Sequence, residues 1–284
     1  MLLLCRLVAA LPLAAVHRLG AGLARLAMQF ARGERRRLDA NLRQAGYADP
    51  TLRRTVIEES GKTVLELPWI WLRPQRELVG LVREVVNEEL FLAAKERGKG
   101  IIFLTPHLGC FELSAQFAAT HTPITVMYRP PRQRVFEPLL RLGRARGNMR
   151  IAAADRKGVF ALLRALRNGE AVGILPDQVP SRGEGEWAEF FGRPAYTMAL
   201  AGRLRDATGA AVLLALCERL PRASGYRIHL ATMPDRAPGE SAARHLNRAL
   251  EGLIRIKPEQ YLWSYNRYKV PPGVAPPESA EAPR

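Results

Sequence analysis

Cysteine is scarce: three residues in 284, Cys5, Cys110 and Cys217, odd in number and widely spaced. Such a set builds no disulfide framework and suits a reducing compartment. Long apolar runs are also missing. In the Leu- and Ala-rich start, Arg6, His17, Arg18 and Arg25 interrupt the pattern. Its longest uncharged stretch, Leu7 to Val16, is too short to span a bilayer. Arg6 stands where the apolar region of a signal peptide would begin, and the lysine-rich start of such a leader is absent, which argues against a cleaved leader. There is no Gly-x-Ser-x-Gly elbow and no P-loop, and Gly183-Glu184-Gly185 lacks the context and spacing of a dinucleotide fingerprint. No second cysteine lies near enough to Cys110, His107 or His121 for a usual zinc set, so no metal is expected. Cys110, among bulky apolar neighbours, reads as a small packing residue. Internal repeats and nucleic-acid reader motifs are lacking too.

Acidic residues are the last shortage. Asp and Glu total 27 against 43 Lys and Arg, a formal charge of +16, so an acidic partner is expected. With 48% hydrophobic residues, the chain can build a sizeable core as one large domain or two small ones. From Val16 onward, Leu19, Leu23, Leu26 and Phe30 share one helical stripe, and Arg18, Arg25 and Arg32 recur on another. An apolar stripe beside a cationic one is the pattern of a helix lying in an anionic membrane interface. The cluster Arg35-Arg36-Arg37 strengthens that expectation, and residues 1–32 read as a membrane-associated helix.

Helices are expected over Thr51–Leu72, ending in Pro68-Trp69-Ile70-Trp71, and over Glu84–Arg97. From Gly100 the chain alternates. Strand-like runs are Ile101–Leu104, Ile124–Tyr128, Met149–Ala153, Ala171–Leu175, Ala211–Cys217 and Tyr226–Ala231. Helical runs are Phe111–Ala119, Arg134–Arg146, Val159–Arg167, Met198–Ala207 and Ser241–Ile256. Such alternation predicts an α/β fold, a three-layer sandwich with a largely parallel central sheet over residues 33–270. The last two strands, joined by Pro221 to Gly225, suit an antiparallel hairpin, and the proline-rich residues 271–284 read as a disordered tail.

The most informative segment is His107-Leu108-Gly109-Cys110-Phe111-Glu112, directly behind the apolar run Gly100 to Leu104. It places a histidine at the carboxyl end of a buried strand, where open α/β sheets bind ligands. Residues five apart on a helix point roughly 140° from each other. Glu112 can therefore orient His107 only if the histidine lies before the first turn, and Pro106 favours that by delaying helix onset. In such a pair the free imidazole nitrogen can take a proton from a hydroxyl. Two more strand ends carry polar groups: Tyr128-Arg129-Pro130 and Pro176-Asp177-Gln178. In a parallel sheet these join His107 on one edge and line one cleft. Arg144, near a helix end, reads from its position alone as a structural cation. The aromatic group Trp187, Phe190, Phe191 and Tyr196 suits either a core or an apolar channel.

Taken in order, His107-x4-Glu112, Tyr128-Arg129-Pro130, Gly143-Arg144-Ala145-Arg146-Gly147-Asn148, Asp155-Arg156-Lys157-Gly158, Pro176-Asp177-Gln178, Phe190-Phe191-Gly192, Pro258-Glu259-Gln260-Tyr261-Leu262-Trp263 and Arg267-Tyr268-Lys269 form a series. It resembles the late, lauroyl/myristoyl-type acyltransferases of lipid A biosynthesis, from the amino terminus to about Lys269. The His-x4-acid element alone is shared with the wider glycerolipid acyltransferases, which usually carry Asp as the acid and a Glu-Gly phosphate-binding segment not found here. The resemblance implies a glycerolipid-acyltransferase-like fold. It also implies transfer of a fatty acyl chain from acyl carrier protein to the 3-hydroxyl of an acyl chain on a lipid A precursor, at the cytoplasmic face of the inner membrane. It assigns His107 as general base, Glu112 as its orienting acid and Arg144 as the cation facing the oxyanion, with Arg129 as alternative. Tyr128, Arg129, Asn148, Arg156, Asp177 and Gln178 are the substrate-binding residues it implies, with no cofactor. Acyl carrier protein is acidic and lipid A precursors carry phosphates, so both suit the charge. Two alternatives remain open: transfer to another glycolipid or lipid acceptor, and a non-catalytic basic protein that binds anionic membrane.

Overall fold

The structure, a computed structural model, describes residues 2–129 and 137–277. Helices α1 (Leu2–Ala10), α2 (Leu13–Phe30), α3 (Arg32–Gln44), α4 (Pro50–Leu72) and α5 (Gln75–Val79) come before the first strand. Then follow β1 (Val82–Val86), α6 (Glu88–Glu96), β2 (Ile101–Leu104), α7 (Phe111–His121) and β3 (Ile124–Tyr128). Next are α8 (Glu137–Arg144), β4 (Met149–Ala153), α9 (Arg156–Arg167) and β5 (Ala171–Ile174). A hairpin of β6 (Gly185–Phe190) and β7 (Arg193–Met198), helix α10 (Leu200–Thr208), strands β8 (Ala211–Arg219) and β9 (Tyr226–Thr232), and α11 (Ala242–Ile256) complete the order.

Seven strands form one sheet in the order β1-β9-β8-β2-β5-β3-β4. Every pairing in it is parallel except β8 with β9, so the expected parallel α/β sheet and its late antiparallel hairpin are both present. Strand β2 shows why its sequence is apolar throughout: it lies at the sheet centre and is buried on both faces. Ile102 and Leu104 pack with α9, α10 and α11 on one face, while Ile101 and Phe103 pack with α6 and α7 on the other. Helices thus cover both faces of the sheet.

The expected helix Glu84–Arg97 is corrected. Its first turn is the end of β1, paired with β9, and Asn87 at φ 60° separates that strand from α6. Val82, Val85 and Val86 favour extended backbone, and Asn tolerates the left-handed turn that follows. Met198, expected in a helix, ends β7 instead. The β6–β7 hairpin was not foreseen; its tight turn puts Phe191 and Gly192 at φ 49° and 73°, the conformation of a two-residue hairpin turn. Of the expected helix Arg134–Arg146, residues 134–136 lie outside the described residues, and α8 covers Glu137–Arg144. From the proline-rich tail, the Ala275 carbonyl accepts the Trp187 indole N–H at 2.9 Å, and residues 278–284 lie outside the described residues.

At the amino terminus, helix α2 presents Leu13, Val16, His17, Gly20 and Ala21 to the protein and packs on α4. Gly20 and Gly61 make the close crossing possible, since a Cβ on Gly20 would lie 2.6 Å from the Gly61 carbonyl oxygen. The other stripe, Leu19, Leu23, Leu26 and Phe30, faces outward, with Phe30 78% exposed. Among the described residues no helix is long and apolar enough to cross a membrane.

Candidate active site

His107 sits in the loop between β2 and α7, before the first helical turn, the position that Pro106 favours. The loop is strapped on two sides. The Gly109 and Cys110 N–H groups donate to the carbonyls of Gln260 and Cys217 at 3.0 and 2.7 Å, and the Leu262 N–H donates to the His107 carbonyl at 3.1 Å. Gly109 adopts φ 61°, and a Cβ there would collide with the Cys217 carbonyl, so glycine is needed on both counts. Cys110 is buried, as expected of a packing residue; burial, followed by its contact with Cys217, pushes its thiol well above the ordinary range, which suppresses thiolate chemistry.

The carboxylate that holds His107 is Asp177, not Glu112. Asp177 Oδ1 lies 2.9 Å from His107 Nδ1, and Asp177 Oδ2 accepts the His107 backbone N–H at 3.0 Å. This corrects the expected His107–Glu112 pairing and sets Asp177, expected among the substrate-binding residues, against the imidazole instead. The cause is sheet order: β2 and β5 are neighbours with Leu104 opposite Ile174, and three residues further on each strand stand His107 and Asp177. Burial works to raise the Asp177 pKa, but the facing His107 outweighs it through charge and hydrogen bonds and keeps the carboxyl below its ordinary value. Buried Tyr261 backs the same carboxylate; burial and then the Asp177 charge hold its phenol protonated well above the usual range. With Nδ1–H directed at Asp177, His107 Nε2 is an acceptor, and the Gln178 amide reaches it at 3.2 Å. The ring packs edge-on against Phe111 with centroids 4.9 Å apart.

Glu112 is occupied elsewhere. Both its oxygens take the Arg144 guanidinium, through Nε at 2.9 Å and through Nη2, and its Oε2 also accepts the Trp71 indole N–H at 3.1 Å. Burial acts to lower the Arg144 pKa, and the Glu112 charge and hydrogen bond more than offset it, so the guanidinium stays charged. Gly143 permits this placement, because a Cβ there would run into the Trp71 ring. Gln116 donates to the Gly143 carbonyl at 3.0 Å and accepts from Arg146 Nε at 3.1 Å, which ties α7 to the end of α8.

His107 and Arg144 both open onto a cavity of about 630 Å³. Tyr128, Arg129, Arg156 and Gln178 line it as well, so the three polar strand ends do converge. Tyr128 accepts from Arg141 Nη2 at 2.6 Å, and Arg129 stands 3.7 Å from Glu184. Asn148 is not brought there. It precedes β4, at the amino end of the parallel strands and away from the cleft, where its side chain donates to the Ala119 carbonyl at 3.2 Å. Helices α9 and α10 add the aliphatic side chains of Val159, Leu163, Leu200 and Leu204 to its wall, beside Arg156 and Arg203. Phe190, Phe191 and Tyr196 do not line it; they are buried in the core. Among the described residues no three His, Cys, Asp or Glu side chains converge to hold a metal ion.

Residues 1–270 match the family model described as bacterial lipid A biosynthesis acyltransferase. The chain belongs to that family. It is 27% identical over 280 residues to the lipid A biosynthesis lauroyltransferase of Escherichia coli (strain K12), covering 95% of this chain and 90% of the relative. The palmitoleoyltransferase of the same organism is 28% identical over 215 residues, 75% of this chain and 69% of its own. A lipid A biosynthesis acyltransferase of Haemophilus influenzae is 30% identical over 187 residues, 63% and 57% of the two chains. Gln116, Arg141 and Arg203 carry no catalytic signature in the sequence, and Trp71 and Tyr261 stand there only as members of longer motifs.

Proposed function

We propose that this chain transfers a fatty acyl chain from acyl carrier protein to the hydroxyl of a hydroxyacyl chain on a lipid A precursor. The observation that carries the reading is one cavity lined both by the His107 imidazole and the Arg144 guanidinium and by aliphatic side chains of α9 and α10. An alcohol attacks a thioester only as its proton leaves. His107 Nε2 takes that proton, while Asp177 holds the tautomer and stabilises the imidazolium that forms. To approach Nε2 the hydroxyl displaces the Gln178 amide. As the alcohol oxygen bonds to the thioester carbon, the carbonyl electron pair moves onto oxygen, where Arg144, held by Glu112, faces the negative charge. Collapse re-forms the carbonyl, expels the thiolate of the donor, and returns the His107 proton to that sulfur. Arg144 suits this role better than Arg129, whose side chain is far more exposed and lies beside Glu184.

The outward stripe Leu19, Leu23, Leu26 and Phe30, flanked by Arg18 and Arg25, supports residence on an anionic membrane surface, with the inner membrane's cytoplasmic face as the place where donor and acceptor meet. The formal charge of +16 suits both an acidic carrier protein and a phosphorylated lipid. Mass spectrometry tests the reading: purified protein is incubated with detergent-dispersed tetraacylated precursor and a panel of acyl carrier protein donors. The expected result is a mass gain of one acyl chain. No gain with any donor, from protein shown to be folded, contradicts it.

A further inference from the structure

Behind the His107 loop lies a buried ionic cluster that the proposed chemistry does not use. Arg219, at the end of β8 and 4% exposed, is its centre. Its Nε donates to Glu66 Oε2 at 2.7 Å and its Nη1 to Glu59 Oε2 at 3.3 Å. Glu66 Oε1 also meets His17 Nε2 at 2.6 Å and the Tyr226 hydroxyl at 2.9 Å. Lys62 pairs with the other oxygen of Glu59. The remaining guanidinium nitrogen, Nη2, donates to the Thr63 hydroxyl and, at 2.9 Å, to the Gly109 carbonyl. Gly109 is two residues from His107 and stands in the left-handed conformation.

A buried ion pair is a poor source of net stability, because desolvating two charges offsets much of their attraction. Hydrophobic residues of similar volume would fill this space at least as well. A guanidinium does what they cannot: its rigid fork orients one N–H at a chosen carbonyl while the other nitrogens are locked by carboxylates. The backbone of Arg219 is fixed too, since its N–H donates to Gln260 Oε1 at 2.9 Å and its carbonyl accepts the Gln260 amide at 3.0 Å. The Gln260 carbonyl in turn accepts the Gly109 N–H. Both polar groups of the Gly109 backbone therefore trace back to Arg219 and its partner.

We infer that Arg219 is a positioning residue for the acyl transfer: locked by Glu66 and Glu59, it clamps the Gly109 carbonyl and so sets the His107 ring against Asp177. The inference rests on the reading of His107 as general base. The clamp extends through Glu66 to His17, so the outward-facing helix α2 is bonded, by way of α4, to the loop that carries the base. Arg219 does not line the 630 Å³ cavity, and its loss acts on the chemical step and not on substrate affinity.

The test uses the full chain, with kcat and KM measured for donor and acceptor and the downfield proton NMR signal of His107 Nδ1–H recorded, assigned by its loss in His107→Ala. Arg219→Lys keeps a charge for Glu66 but lacks the fork. It is expected to lower kcat roughly 10- to 100-fold with KM unchanged, and to broaden or remove the Nδ1–H signal. Leu246→Ala, a core truncation in α11, controls for lost stability and is expected to lower the melting temperature without either change. An Arg219→Lys protein with unaltered kcat and signal overturns the inference, as does a kcat loss in Leu246→Ala equal to that in Arg219→Lys. If Arg219→Lys does not fold, Thr63→Val decides: it keeps Arg219 but removes the hydroxyl that shares Nη2 with the Gly109 carbonyl, so the fork is held less firmly against Gly109, and kcat is expected to fall severalfold with KM unchanged, whereas an unaltered kcat overturns the clamp. Full transfer by His107→Ala would instead remove the reading of the base, while the NMR signal of the unaltered protein and the Arg219 variant still reports on the clamp.

Discussion

Asp177 accepts His107 twice, from the ring at 2.9 Å and from the backbone N–H at 3.0 Å, so one carboxylate fixes both the imidazole and the turn that carries it. Glu112, five residues from His107 in sequence, fixes Arg144 instead. The two acids therefore have separable duties. Asp177→Asn is expected to lower kcat by roughly 10²- to 10⁴-fold and to alter the acid limb of the kcat/KM profile. Glu112→Gln is expected to lower kcat by roughly 10²- to 10³-fold and to leave that limb in place, because Glu112 touches Arg144, the proposed oxyanion cation, and not His107, the proposed base. Parallel pH profiles of the two variants check this assignment.

The close approach of α8 to Trp71 gives a second prediction. Gly143→Ala forces a Cβ into the indole ring and pushes Arg144 off Glu112. Overpacking of this kind costs about 1–3 kcal/mol, and the activity loss should exceed that of a surface substitution of equal stability effect. Denaturant unfolding and kcat measured on the same preparation test it.

Chain length should respond to the cavity wall that α9 and α10 supply. Leu163 of α9 lines the cavity. Leu163→Phe is expected to shift donor preference toward shorter acyl chains, read from competition between carrier proteins loaded with different chains. An unchanged preference would place the acyl chain elsewhere.

Acid stability follows from Glu66. Burial acts to raise its pKa, but Arg219 and then His17 outweigh it and hold it at about 2, against 4.5 ordinarily. A carboxyl whose folded-state pKa lies below its unfolded value stabilises the fold above the unfolded value, and this contribution is lost as pH falls through the folded one. The window runs from 4.5 down to about 2. Glu66→Gln is expected to cost roughly 3–5 kcal/mol at neutral pH and to flatten the pH dependence of unfolding across that window.

Membrane residence is expected to depend on the outward face of α2. Leu23→Glu with Phe30→Glu should weaken sedimentation with anionic vesicles and leave transfer to detergent-dispersed precursor intact. Equal vesicle binding by this variant would contradict the assignment.

The sheet was legible because each of its central strands is a short apolar run ending in punctuation: Ile101–Leu104 before Thr105-Pro106, and Ala171–Ile174 before Pro176. The convergence of His107, Tyr128-Arg129 and Gln178 followed from parallel strands alone. The partner of His107 did not, because it depends on which strand lies beside β2. Sequence order suggests a local pairing with Glu112, while the sheet inserts β5, seventy residues on, between β2 and β3. Val82–Val86 was hidden for a similar reason: an edge strand that pairs with β9, 144 residues away at Val82 and Tyr226, has an exposure pattern set by tertiary contacts. Asn148 shows the converse error, a motif residue whose strand end faces away from the cleft. His17 and Glu66 carried no signal as a pair, since only the crossing of α2 over α4 at Gly20 and Gly61 brings them together.

The most direct test of the account is the single-turnover rate of acyl transfer from acyl carrier protein to a lipid A precursor, for the unaltered protein beside folded His107→Ala. The account predicts transfer of one acyl chain by the unaltered protein and a loss of roughly 10³-fold or more in the variant. Transfer by His107→Ala at the unaltered rate would contradict it.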